Sequence, residues 1–579
     1  MKTLSLFNAV VAKAPKSKSN TVDLEFGLVI DSSADWAHSH IVKYYRDQKL
    51  SGNDLNKSFH KSFQKVQSSS RAELLADQIR HYCSTYGTNF EGEIYIPDEI
   101  LEIPEAKLSF RVVRGLTKEE IISKCLTMLG GVALKEETID DILSVLDEVG
   151  YKFTGKENIK NREAIIKIAD LHGIMPADTT ELFRYCIYKA TGKSLLIKNA
   201  ASIQAIKSSE FDPSSIFQKH GVDNLGKIFN RFKPLFLAFK KKCPHTINVI
   251  ARYSKVNHKP LVSNPLNQVT NKRLSEKDLH WLDNATPFAF FKALAAIHSR
   301  MQGQTSFCYR IRNGKSWVGE NTSANLDLLA SNFSMLMDYA KKRWDMSGVN
   351  IFIPEGVEYA VPTSEKMFVG NIPAGTKFHG EKLAIGVYWE NSWGARDIDL
   401  SCTDINNHKI GWNSRYSTKD VIYSGDITYA PNGAVEYLHF QNVFGPKIVN
   451  INIFRGSDTT GYKIVVGSGD EISKPYMMDP NKVMAEIKTC SVQNQMIFGI
   501  VLPEEKGQSF VLINCGSGQA KVSRNSNGLQ ALYEQYETPL NFKTLVKHLG
   551  ANIVDSPDRG LDLSVNKIDK STFINLFGT

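Results

Sequence analysis

Between residues 383 and 455 the hydrophobic pattern has a period of two. Short apolar runs (LAIGVYWE, ARDIDLSC, KIGWN, VIYSGDITYAPNGAVEYLHFQ and KIVNINIFRG) alternate with turn clusters and with acidic residues at the turns. Such a pattern predicts a two-layer antiparallel β-sandwich whose loops are available to a cation. The period of two holds from Val349 to about residue 515. Upstream the period is helical. Thr117 with Glu120 spells a capping box, and Ile139, Ile142, Leu143 and Leu146 share one face of a helix that stops at Gly150. Further helices are predicted to close at Gly173, to run from Asp178 or Thr179 to near Gly192, to start at Pro287, and to cover Leu326 to Met337. The chain therefore reads as a multidomain α+β protein. Residues 1–114 form a mixed α/β region with a basic arm at Lys13 to Ser19, and short proline-broken strands at 92–114. Residues 115–345 form an all-α bundle or solenoid, 350–535 the sandwich, and 536–579 a helical tail. The helical and β parts are expected to have separate cores.

Length and composition fit this division. A chain of 579 residues implies about three or four domains, and 42% hydrophobic with 23% charged content is that of a globular protein. No apolar run is long enough to span a bilayer, and Asn8 interrupts the short apolar start, so neither membrane insertion nor a secretory signal is expected. The eight cysteines form no C-x-x-C pair, which argues against a zinc cluster or disulfide framework and fits reduced thiols in a cytoplasm.

The formal net charge of +9 matters through one segment. From Lys227 to Arg273 there are eleven Lys/Arg and no Asp/Glu, including Lys233, Lys240, Lys241, Lys242, Arg252, Lys255 and Lys259. One reading is a phosphate-tracking surface for RNA or another polyanion. The other is a solvated helix face, because Phe229, Phe232, Phe236 and Phe239 follow a helical stripe that suits a core. This helical region with a basic face resembles the helical ring domain of the Ro/TROVE RNA-binding family. Near the N-terminus, Asp31-Ser32-Ser33-Ala34-Asp35 after an apolar strand resembles the metal-binding loop of von Willebrand A domains, but Asp35 stands where that loop has serine. A strand followed by an Asx/Ser turn explains it as well.

Alternation in DIDLS places Asp397, Asp399 and Ser401 on one strand face, with Ile398 and Leu400 on the other. Two carboxylates on one face repel unless a cation or a base lies between them. Asp397, Asp399 and Asp426, with Glu390 or Glu436, offer hard oxygen ligands of the kind calcium takes. The competing reading is that Arg396 or Lys409 pairs these acids. The stretch 365–535 resembles the tellurite-resistance TerD-like β-sandwich family. The resemblance rests on ordered features: Gly386-Val-Tyr-Trp-Glu390, Asp397-Ile-Asp399-Leu-Ser401, Ser424-Gly425-Asp426, Glu436-Tyr-Leu-His-Phe440, the strand KIVNINIF from Lys447, and Met496-Ile-Phe-Gly499 with Phe510 to Asn514 and Gly516-Ser-Gly518. It implies calcium at these loops and a role in stress response or phage defence. The chain departs from the family after Asp426, where ITYAPNGAV carries no carboxylate before Glu436.

No catalytic constellation is present. The glycine-rich spots Gly467 to Asp470 and Gly516 to Gly518 lack a P-loop Lys-Ser/Thr and read as turns, and neither a G-x-S-x-G elbow nor an H-E-x-x-H helix occurs. Three functions follow. The first is a non-enzymatic binding or scaffold protein with a calcium-binding sandwich. The second is a nucleic-acid-binding protein acting through the basic segment. The third is a self-assembling structural subunit of a large assembly, such as a viral one.

Overall fold

The computed structural model describes the chain except residues 16–18, 84–102, 108, 132, 260–263, 311–315, 322–324, 457–458, 470–476, 492–493, 517–525 and 579. It is mixed α+β, and its C-terminal region is mostly antiparallel strands. The N-terminal region holds a four-stranded sheet of β1 (Ala9–Val11), β2 (Thr21–Asp23), β3 (Leu28–Ile30) and β4 (Arg111–Leu116), in the order β1-β4-β3-β2. Of the strands expected at 92–114, only β4 falls within the described residues. A helix at Arg71–Tyr82 starts at Ser70, whose hydroxyl and amide exchange hydrogen bonds with Glu73 in a capping box.

The helical stretch begins at Lys118–Gly131, where Glu120 accepts from the Thr117 amide and Thr117 from the Glu120 amide. Glu136–Glu148 buries Ile139, Ile142, Leu143 and Leu146. Arg162–His172 and Thr179–Thr191 are capped by Asn161 and Asp178, and both end on left-handed glycines, Gly173 and Gly192. The stretch is not all-α: a hairpin of β5 (Ser306–Arg310) and β6 (Ser316–Glu320) lies between the helices Pro287–Met301 and Leu326–Arg343.

Two antiparallel sheets make up the β region. The seven-stranded sheet runs β14-β13-β17-β20-β21-β11-β8, with β8 (Val357–Glu358), β11 (Lys377–Gly380), β13 (Ala395–Asp404), β14 (Lys409–Gly411), β17 (Lys447–Gly456), β20 (Gln495–Pro503) and β21 (Gln508–Gly516). The five-stranded sheet runs β15-β16-β12-β18-β19, with β12 (Leu383–Trp389), β15 (Val421–Tyr423), β16 (Ala434–Phe440), β18 (Thr460–Ser468) and β19 (Val483–Ser491). A two-stranded ribbon of β9 (Phe368–Val369) and β10 (Ile372–Pro373) forms its own ladder and packs into the same core. The C-terminal tail is only partly helical. Its β22 (Asn552–Val554) and β23 (Leu561–Asp562) flank β7 (Asn350–Phe352) in a parallel three-stranded sheet.

The cores are not separate, contrary to the sequence-based expectation. One cluster of buried side chains runs from Leu6 through Leu294 and Trp389 to Phe577. A second, between Leu182 and Ile250, belongs to the helices alone. Helical and β-region side chains meet directly, as where Phe288 lies 6.1 Å from Phe368 between ring centres, and both outer faces of the sheet pair are covered as well. The N-terminal chain lies over the five-stranded sheet: the Tyr437 hydroxyl donates to the Leu55 carbonyl, the Val435 amide to the Lys57 carbonyl, and the Lys463 ammonium to the Gln48 carbonyl. Over the seven-stranded sheet lie the β5–β6 hairpin and the helix Ser526–Glu537, with Cys308, Leu532 and Tyr536 packed on Ile448, Ile500 and Val511. Among the described residues no helix is long and apolar enough to cross a membrane.

Candidate metal centre

The carboxylates gather at the edge where β13 faces β15 and β16. Asp397 and Asp399 come from β13, whose register with β17 shifts at Asp397 and Ile398. Asp426 follows β15 in the turn Ser424-Gly425-Asp426. Gly425 has φ of 100°, and a Cβ there would stand 2.8 Å from the His60 ring and 2.9 Å from the Phe59 ring. Only glycine lets this turn press against the N-terminal chain while delivering Asp426 inward. One carboxylate oxygen each of Asp397, Asp399 and Asp426 lies within 4.8 Å of the others. All three are buried, at 4%, 4% and 1% exposure.

Glu436 supports the cluster from β16 and is fully buried. The β14 ladder ends at Gly411 opposite Ser401, and just past it the Leu400 amide donates to Glu436 Oε2 at 2.8 Å. The Tyr423 hydroxyl donates to the same oxygen at 2.7 Å, and the Ile427 amide to Oε1 at 2.9 Å. With three donors accounted for, Glu436 ties the two sheets and the Asp426 loop together. Burial, then the charges of Asp426 and Asp399, push its pKa well above the usual carboxylate range. Asp399 is pushed to about 7 by burial, against the opposing hydrogen bond from Asn452 Nδ2 at 2.8 Å. Burial likewise raises Asp426 to about 6, moderated by Tyr82. The Tyr82 hydroxyl donates to Asp426 Oδ2 at 2.5 Å, while Asp426 Oδ1 has no hydrogen-bond partner among the described residues. Negative charge held this far from water calls for a cation or a proton.

Glu390 is not part of the cluster. It sits at the end of β12, half-buried, and accepts from the Tyr388 and Ser392 hydroxyls, each at 3.1 Å. Neither basic residue weighed from the sequence closes on Asp399: Arg396 is exposed, and the Lys409 ammonium stands 5.0 Å over the Trp412 ring, lowering the Asp399 pKa only as the last of four influences.

Sequence reasoning missed the wall supplied by the helix Arg71–Tyr82. Besides Tyr82, Gln78 Nε2 donates to the Asp426 carbonyl at 3.0 Å and its Oε1 accepts from the Tyr416 hydroxyl at 3.0 Å. His81 Nε2 meets Thr428 Oγ1 at 3.1 Å. Tyr82 and Asp426 are 344 residues apart, and no local signal could pair them. The Ser70 to Glu73 spelling is a local signal for the helix start, but it does not tell what the helix covers.

The other candidate sites are plainer. The Asp31 loop is an Asx/Ser turn: Asp31 Oδ1 accepts from the Ser33 amide at 2.9 Å and from its hydroxyl at 2.5 Å. Phe229, Phe232, Phe236 and Phe239 are core, with Phe236 stacked on Phe183 at 3.8 Å. Lys233, Lys240, Lys241, Arg252, Lys255 and Lys259 are exposed around that core, whereas Lys242 is half-buried and 3.8 Å from Glu210. Asp470, Ser517 and Gly518, of the two glycine-rich turns, lie outside the described residues. No known family model matches the chain, and none of the curated proteins compared with it does.

Proposed function

We propose that the chain is a non-enzymatic binding or scaffold protein whose sheet pair is a TerD-like β-sandwich holding calcium. The observation that carries this reading is Asp426 Oδ1, buried without a hydrogen-bond partner among the described residues beside two further buried carboxylates. Asp397, Asp399 and Asp426 would hold the ion, and the bound ion would supply the positive charge that the cluster needs. Glu436, with its three donors, acts as the brace rather than a ligand. An all-oxygen donor set suits calcium, which takes about six to eight such ligands, and does not suit zinc or copper. Magnesium fits less well because it demands tight octahedral geometry and gives up its waters reluctantly. The likeness to the TerD-like family points to stress response or phage defence in the cytoplasm as the setting. The test is isothermal titration of the full-length chain with calcium and with magnesium. The reading expects saturable heat and a raised melting temperature with calcium, and a weaker response to magnesium. A melting curve indifferent to both calcium and chelator overturns it.

A second reading, binding of RNA or another polyanion by the helical region, is favoured by the exposed cations Lys240, Lys241, Arg252, Lys255 and Lys259 in a stretch without acids, together with the 41% exposed ring of Tyr253. Binding through several phosphates weakens by orders of magnitude as salt rises. A Lys240→Glu/Lys241→Glu variant that keeps the wild-type filter-binding curve would remove it.

A further inference from the structure

The carboxylate cluster is assembled from two distant parts of the chain, and this has a thermodynamic consequence. Asp426 is divided between two tasks. Its Oδ2 receives the Tyr82 hydroxyl at 2.5 Å, its main-chain carbonyl receives Gln78 Nε2 at 3.0 Å, and Oδ1 has no hydrogen-bond partner among the described residues. Gln78 is held in turn by the Tyr416 hydroxyl, and Tyr416 stacks on Tyr423 at 5.4 Å between ring centres, whose hydroxyl ends on Glu436. A hydrogen bond on one carboxylate oxygen fixes the plane of the group and with it the direction of the other oxygen. Partners of this kind around a metal ligand set its orientation and contribute to affinity without touching the ion.

Resting on the calcium reading above, we propose that Tyr82 is a positioning residue for the cation, and that cation binding clamps the helix Arg71–Tyr82 onto the sheet pair. The cation needs no displacement of Tyr82, because the oxygen left without a partner is not the one Tyr82 holds. The helix orders Asp426 in advance, so less ordering remains to be done when the cation arrives. By reciprocity, whatever the docked helix adds to cation affinity, the cation adds to helix docking. The N-terminal region thereby becomes the reporter of the site. Its attachment over the five-stranded sheet is strong where the cation is bound and weaker where it is not.

Two measurements on the full-length chain test this. In the wild type, amide exchange within residues 71–82 should slow several-fold on adding calcium and recover with chelator. Tyr82→Phe keeps the ring and removes the hydroxyl. Its calcium dissociation constant should rise by about tenfold, the lower end of the range seen when such supporting groups are removed. The calcium-induced rise in melting temperature should shrink with it. A merely structural Tyr82 would lower the melting temperature equally in calcium and in chelator and leave the increment intact. If the wild type binds calcium but exchange in 71–82 is unchanged or faster, the clamp is overturned and the calcium reading stands. If the wild type shows no calcium heat, both fall. The exchange arm needs no substitution, so it decides the matter even if Tyr82→Phe folds poorly.

Discussion

Asp399 is the residue at which the candidate site is most easily tested. Its carboxyl is 4% exposed, is raised to about 7 by burial, and keeps one hydrogen bond, from Asn452. Asn at this position preserves the shape and removes the charge. Asp399→Asn should abolish the calcium heat, and in chelator the variant should melt at the wild-type temperature or above, because one buried negative charge is gone. A variant that still binds calcium with wild-type affinity would place the ion elsewhere. That Asp397 and Asp399 share a face was legible in the sequence, since a strand's period of two fixes which side chains point the same way; Asp426, on another element, was reached only through the resemblance of its Ser424-Gly425-Asp426 turn. Glu390 and Glu436 were not separable there. Both end or interrupt apolar strands, and only the third dimension shows Glu390 taken by Tyr388 and Ser392 while Glu436 reaches Leu400 and Ile427.

At the scale of elements, the Ser424-Gly425-Asp426 turn positions the site. Gly425→Ala would demand φ near 100° from a residue with a Cβ, and that Cβ would meet the rings of His60 and Phe59 below 3 Å. A strained backbone of this kind costs about 1–3 kcal/mol. Urea unfolding should show a loss of at least that size, with the calcium response weakened because Asp426 moves; an unchanged midpoint would mean the loop relaxes freely. Elements whose signals are local were legible, as at Thr117 and Glu120, Asp178, Gly173 and Gly192, because a cap is chemistry among neighbours in sequence. The β5–β6 hairpin inside the helical stretch was not. It is held by the distant helix Ser526–Glu537, where Glu534 accepts from the Thr305 and Ser306 hydroxyls and Gln535 Oε1 from the Cys308 amide.

For the whole molecule, the N-terminal chain joins the sheet core because β12 and β16 are buried along their entire lengths. A strand buried on both faces is covered on both, and here the N-terminal chain is the second cover. That cover includes two imidazoles. His60, on the N-terminal chain, has its amide bonded to the Ser424 carbonyl. His439, on β16, packs against Phe63 at 4.4 Å between ring centres. Neither ring has a hydrogen-bond partner among the described residues. Burial lowers both to about 3, helped by the like charge of Lys65 near His60 and of Lys382 near His439. Their folded pKa lies below the unfolded value of about 6.5, so the fold prefers them neutral. The stability they allow is present above pH 6.5 and is lost progressively as pH falls toward 3. Each unit of pH over that window removes about 1.4 kcal/mol per group. The buried carboxylates act with the opposite sign, since Asp399 at about 7 and Glu486 at about 7 gain from protonation as pH falls. The wild-type profile alone therefore mixes the two. The informative quantity is the difference between the wild type and His439→Phe, which keeps a ring against Phe63. Between pH 6.5 and 4.5 the variant should lose less stability than the wild type, by about 2–3 kcal/mol, measured by urea unfolding in chelator. Parallel profiles would mean that the N-terminal cover opens and lets water reach His439 before its ring must ionise in the closed form.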